Sequence, residues 1–106
     1  MMIFIIALSL QPASSQQTEV EIVCQKSFFT PSTIELKQGQ PVRLILKSLD
    51  VTHGFAVDEL KLAREIPVGP PTIIEFTPQQ VGQFVFYCAV RCGKNHLKMR
   101  GTLIVR

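Results

Sequence analysis

No stretch of this 106-residue sequence is long enough to cross a membrane as a helix. Its longest apolar run, MMIFIIALSL at residues 1–10, falls well short of the roughly 20 residues that a hydrocarbon core demands. Tryptophan is absent, tyrosine occurs once, histidine twice and cysteine three times. No segment carries apolar residues convincingly at helical spacing, which excludes helical bundles and folds that alternate strands with helices. Nor is there a Gly-rich phosphate loop or a Ser/His/Asp set, so the sequence gives little support to nucleotide handling or nucleophilic catalysis. Internal repeats and low-complexity segments are also missing. With 46% hydrophobic and 18% charged residues, the chain is long enough for one core and too short for two.

The apolar run at the start has the length of a signal-peptide core, and Ala13, Ser14 and Ser15 put small residues where a signal peptidase reads, with cleavage before Gln16. The basic residues that usually precede such a core are missing, which keeps a short N-terminal anchor open as the second reading. The expected organisation is therefore a leader or anchor at 1–15 and one domain at 16–106. The expected location is the periplasm or another extracytoplasmic face, with membrane association through the N-terminus as the variant.

From Glu19 onward, short β-branched and aromatic runs alternate with Pro, Gly, Gln and Asp. In TIELK, Ile34 and Leu36 alternate with Glu35 and Lys37, and in VRLILK, Val42, Leu44 and Leu46 share one face. This period of two marks half-buried strands. Strands are predicted at Val20–Cys24, Thr33–Lys37, Val42–Lys47, Gly54–Val57, Thr72–Phe76, Gln83–Tyr87 and Gly101–Val105. KQGQP supplies a turn between the second and third, and REIPVGPP (Arg64–Pro71) reads as the longest rigid loop. The fold class is an all-β Greek-key sandwich. Cys24, among Val20, Ile22 and Val23, is expected to act as a small buried hydrophobe.

Two of the three cysteines, one of the two histidines and a methionine fall within YCAVRCGKNHLKM, Tyr87–Met99. Their order is C-x3-C-x3-H-x2-M: Cys88, Cys92, His96 and Met99. The other histidine, His53, lies in DVTHGF between two earlier strands, from where a neighbouring loop can reach the same end of a sandwich. Thiolates and a thioether are soft donors that favour copper, imidazole suits copper or zinc, and methionine offers little to zinc. A single-copper site needs one cysteine, and here there are two. If both thiolates bridge two copper ions, each ion takes two sulfurs and one histidine, with methionine a weak donor to one and a backbone carbonyl to the other.

DVTHGF and CAVRCGKNHLKM resemble the binuclear copper (CuA) domain of cytochrome c oxidase subunit II, a cupredoxin-type sandwich also found in nitrous oxide reductase. The resemblance runs from about Val20 to Val105. It implies a cupredoxin fold and a CuA centre of two copper ions, with Cys88 and Cys92 as bridging thiolates and His53 and His96 as terminal ligands. Met99 would be the weak ligand and the main-chain oxygen of Val90 the last donor. It also implies electron transfer with a cytochrome or an oxidase subunit, the domain being an electron-accepting module and not itself a catalyst, and copper delivery by a chaperone.

Three departures accompany it. The oxidase proteins usually carry an acidic residue between the cysteines that helps reach a magnesium ion, and that position is Val90 here. The two membrane helices of subunit II are absent from this sequence, as is the tryptophan-rich stretch that usually accepts electrons. Beside the leading reading stand a copper carrier or chaperone, a single-copper cupredoxin, a Cys2His2 zinc site, and a metal-free secreted sandwich with a Cys88–Cys92 disulfide. Arg91, Lys94, Lys98 and Arg100 form a basic cluster in or beside the ligand loop, which favours an acidic redox partner. No nucleic-acid partner is predicted.

Overall fold

The computed structural model describes residues 17–26, 28–90 and 98–106. The segment 1–15, expected to be a leader or anchor, lies outside them. Among the described residues are nine strands: β1 (Thr18–Gln25), β2 (Phe28–Thr30), β3 (Thr33–Leu36), β4 (Val42–Ser48), β5 (His53–Val57), β6 (Leu62–Ile66), β7 (Thr72–Phe76), β8 (Gly82–Tyr87) and β9 (Arg100–Val105). A short 3-10 turn, Asp58–Leu60, links β5 to β6. No helix among the described residues is long and apolar enough to cross a membrane.

The strands form two sheets, β2-β1-β4-β7 and β3-β9-β8-β5-β6, packed face to face as a Greek-key sandwich. The predicted alternation is realised: in β4, Val42, Leu44, Leu46 and Ser48 are buried while Arg43, Ile45 and Lys47 point outward. Burying one face in this way removes apolar area from water at about 25 cal/mol per Å². Phe29, Phe55 and Phe86 meet in the core, with ring centroids 5.0 to 6.1 Å apart. Cys24 is fully buried in the same core, as expected.

The seven predicted strands all exist, with ends shifted by at most a residue or two, and two more join them. β2 has three residues, too few to show a period, and is held by pairing back onto the end of β1, with Gln25 opposite Phe28. β6, LAREI, is rich in residues of helical preference. It is a strand because Lys61 takes the left-handed conformation (φ 54°) and reverses the chain, so that all five residues pair with β5. Arg64–Ile66 therefore belong to a strand, and the rigid loop expected from Arg64 begins only at Pro67.

Candidate metal centre

The core faces of three neighbouring strands build the site. In β5, His53 shares its face with Phe55 and Val57, and all three are fully buried. In β8 the buried series Phe84, Phe86 continues one step past the strand to Cys88. In β9 the buried series Val105, Leu103, Gly101 continues one step back to Met99. β9, β8 and β5 are adjacent in the second sheet. His53, Cys88 and Met99 are thus the topmost inward positions of three adjacent strands, directly above the aromatic core.

Backbone contacts hold these positions together. The Cys88 N–H donates to the Met99 carbonyl at 3.1 Å, extending the β8–β9 ladder by one rung. The Gly54 N–H donates to Cys88 Sγ at 3.3 Å, and Cys88 Sγ lies 3.0 Å from the Val90 carbonyl oxygen. The chain can pass this closely over β5 because residue 54 has no side chain: a Cβ there would lie 2.8 Å from Ala89 N and 3.0 Å from Val90 N. Val90 is partly buried and packs on the core.

His53 is oriented by Asp50. Its Nε2 is 2.7 Å from Asp50 Oδ1. Because a carboxylate only accepts, Nε2 carries a proton, and in the neutral ring Nδ1 then holds a lone pair. That Nδ1 is buried and has no hydrogen-bond partner among the described residues. A buried ring nitrogen without a partner is costly unless something electrophilic faces it. A carboxylate on one ring nitrogen and a vacant lone pair on the other is the arrangement of a metal-binding histidine. Asp50 is fixed in turn: Oδ1 accepts from the Val51 N–H and Oδ2 from the Lys26 N–H, both at 2.7 Å. Burial pushes its carboxyl up, but the bond to His53 and the two N–H donors outweigh this and hold it below its ordinary value. Ser48, also buried, donates from Oγ to the Val51 carbonyl and tightens the same turn.

Of the six predicted donors, the structure brings together His53, Cys88, Val90 and Met99. Cys92 and His96 lie outside the described residues, as do Arg91 and Lys94 of the basic cluster; Lys98 and Arg100 are exposed. No group of three or more His, Cys, Asp or Glu side chains is assembled for a metal among the described residues. The donors gathered there are one imidazole, one thiol, one thioether and one carbonyl, a soft set that suits copper. Sequence reasoning missed Asp50 and Gly54. Their signals were an acidic residue three positions before the histidine at a strand start, and a glycine immediately after it.

A two-sheet Greek-key sandwich with soft donors gathered above its core at one end defines the cupredoxin class. The chain belongs to the cupredoxin-like domain family, whose model matches residues 1–105. Within it the chain is related to cytochrome c oxidase subunit II. It is 31% identical over 78 residues to cytochrome c oxidase subunit 2 of Thermus thermophilus, covering 74% of this chain and 58% of that protein. It is 36% identical over 72 residues to alternative cytochrome c oxidase subunit 2 of Bradyrhizobium diazoefficiens, covering 68% of this chain and 26% of that protein. The chain therefore spans well under two thirds of the length of these relatives. The periplasmic domain of subunit II of cytochrome oxidase of Bradyrhizobium japonicum superposes with a TM-score of 0.76 over 84% of this chain and 83% of that one. At 16% identity that likeness speaks for the fold.

Proposed function

We propose that this domain is an extracytoplasmic electron-transfer module with a binuclear CuA-type copper centre, held by Cys88, Cys92, His53, His96, Met99 and the Val90 carbonyl. The observation that carries the reading is His53: buried, tied through Nε2 to Asp50, with an Nδ1 that has no partner among the described residues, at the same end of the second sheet as Cys88 and Met99. Copper, when bound there, supplies one-electron redox chemistry. The chain's own residues do the rest. Asp50 fixes the tautomer and direction of the His53 ring, the Gly54 N–H stabilises negative charge on Cys88 Sγ, and the fully buried Met99 closes the site on the core side. A second thiolate at Cys92, four residues after Cys88, is what favours two ions over one.

The partner in this reading is a cytochrome or an oxidase subunit, and a copper chaperone loads the site. The relatives' names support the first, and the basic residues in and beside the ligand loop favour an acidic partner. The expected location is extracytoplasmic, with residues 1–15 as leader or anchor. The test is metal analysis with electron paramagnetic resonance of copper-loaded protein. Two coppers per chain, with hyperfine coupling to two equivalent nuclei, are expected, and Cys88→Ser should collapse this to one copper or none. One copper in the unmutated protein overturns the binuclear reading, and ready transfer of copper to a chelator would mark a carrier instead.

A further inference from the structure

The outer face of the first sheet has no part in the metal centre, and strand register places its side chains. Glu21 stands opposite Ile45, and Ile45 opposite Ile73. One step toward the site end, Thr30, Val23 and Lys47 lie side by side, and a further step brings Phe28 beside Gln25. One step the other way, Glu19, Arg43 and Glu75 form a row. All of these alternate with buried residues along their strands and so share the solvent side. Phe28, Val23, Ile45 and Ile73 thus make one diagonal stripe over all four strands, each within cross-strand or diagonal reach of the next. Phe28 is 52% exposed and the other three are half-buried. An apolar stripe that crosses a whole sheet on its solvent side has the form of a contact surface.

The stripe divides two kinds of polar group. On its site-end side, among the outward positions of these strands, are Gln25 and Lys47; on the other side are Thr30, Arg43 and three carboxylates. Two of those carboxylates are engaged: Glu19 lies 3.9 Å from Arg43, and Glu75 accepts from the Gln17 side-chain amide at 2.9 Å. Lys47 and Glu21 are both exposed and have no hydrogen bond or ion pair through their side chains among the described residues. They flank the stripe at Ile45, Lys47 two residues along the same strand and Glu21 directly across on β1. A two-fold axis laid along the stripe keeps apolar on apolar and exchanges its two sides, which brings Lys47 of one copy over Glu21 of the partner subunit. From Phe28 to Ile73 the stripe travels about 13 Å along the strands and about 14 Å across them, so it runs at roughly 45° to them. Rotation about it crosses the strands of the two copies at about 90°, one of the two arrangements in which sheets pack face to face.

We infer that this protein pairs with a second copy of itself through the outer face of the first sheet. The Phe28–Val23–Ile45–Ile73 stripe lies on its own image, and Lys47 and Glu21 answer each other twice across the axis. A four-stranded face is at the small end of specific interfaces, so the dimer is a reversible one with a dissociation constant in the micromolar range. The pairing does not depend on the copper reading, since none of these residues is a proposed ligand.

The experiment is sedimentation velocity of the metal-free protein over a concentration series through the micromolar range. A reversible monomer–dimer equilibrium is expected. Ile45→Glu should weaken it by more than about tenfold, and Lys47→Glu and Glu21→Lys by about tenfold each, because each change sets like charges against each other across the axis. An equimolar mixture of the Lys47→Glu and Glu21→Lys proteins should recover the dimer, since every altered charge then meets its opposite on the other chain. Misfolding of either variant could not be reversed by mixing. Val85→Ser, on the outer face of the second sheet, should leave the equilibrium unchanged. A protein that stays monomeric, a dimer indifferent to Ile45→Glu, or a mixture that does not recover overturns the inference. Association through residues 1–10 or through the ligand loop would show as that indifference.

Discussion

Gly54 and Gly101 at the site end of the sandwich and Gly39 at the far end serve opposite purposes. At the site end, Gly54 and Gly101 lie in strands of ordinary backbone geometry, but a Cβ on either would collide with what passes over it: Ala89 and Val90 backbone for Gly54, the Phe86 ring and the Ser32 carbonyl for Gly101. At the far end, Gly39 has open space around it and a φ of +82°, so it is there for its conformation. Gly54 and Gly101 serve close approach, and Gly39 serves a turn. The close approach is what lets Cys88 and Val90 come down over β5 at Gly54, so the packing of the site end sets where these two residues stand. The far end only reverses the chain.

The sharpest way to break this comparison is to add a methyl group at each place. Gly101→Ala puts a Cβ 2.2 Å from Phe86 Cζ and 2.6 Å from the Ser32 oxygen. Phe86 is fully buried against Phe29 and Phe55 and cannot swing away. A loss of about 3 kcal/mol in urea unfolding is expected, at the upper end of overpacking costs. Gly54→Ala meets backbone nitrogens at 2.8 and 3.0 Å and should cost about 2 kcal/mol. It should also lower copper stoichiometry, because relief of the clash lifts Ala89 and Val90 away from His53; metal analysis of the folded variant reads this. Gly39→Ala should cost about 1 kcal/mol from the left-handed conformation alone and leave copper binding unchanged. If Gly39→Ala proves the costlier of these last two, close approach at the site end is not what the glycines serve.

The smallest effect concerns the outer face of β8, next to Cys88 in sequence. The Tyr87 hydroxyl donates to Asp58 Oδ1 at 2.7 Å, which, with minor desolvation, raises the phenol above its ordinary value. A raised value means that the protonated phenol is favoured in the folded state. Its contribution is complete below the ordinary phenol range near about 10 and is lost as pH rises through the folded value. Stability at neutral pH should not depend on it. With one tyrosine and no tryptophan, ultraviolet absorbance follows this group alone. Asp58→Asn should bring the titration down, and an unchanged curve would show that the hydrogen bond is absent in solution.

Much of this was legible in the chain. Alternation in TIELK and VRLILK marked β3 and β4 because the period of two is a property of adjacent residues, whatever lies across the sheet. Cys88, Cys92, His96 and Met99 could be read as a candidate group because they are neighbours in sequence. β2 and β6 were not: one is too short for a period, and the other runs against its own helical preference because β5 offers it five partners. The pairing of Asp50 with His53, and the fit of Gly54 beneath Ala89, were likewise beyond local pattern.

The sequence by itself determined an all-β domain, its alternating core faces and the soft chemistry of its candidate site residues, since each follows from composition and near-neighbour spacing. Only the tertiary structure decided that His53, 35 residues before Cys88, stands at the same end of the second sheet as Cys88 and Met99, that its Nδ1 is buried with no partner among the described residues while Nε2 is held by Asp50, and that Lys26 closes the other side of that carboxylate. These depend on sheet order, register and burial, which arise when distant segments exclude water together and have no trace in the spacing of any one of them.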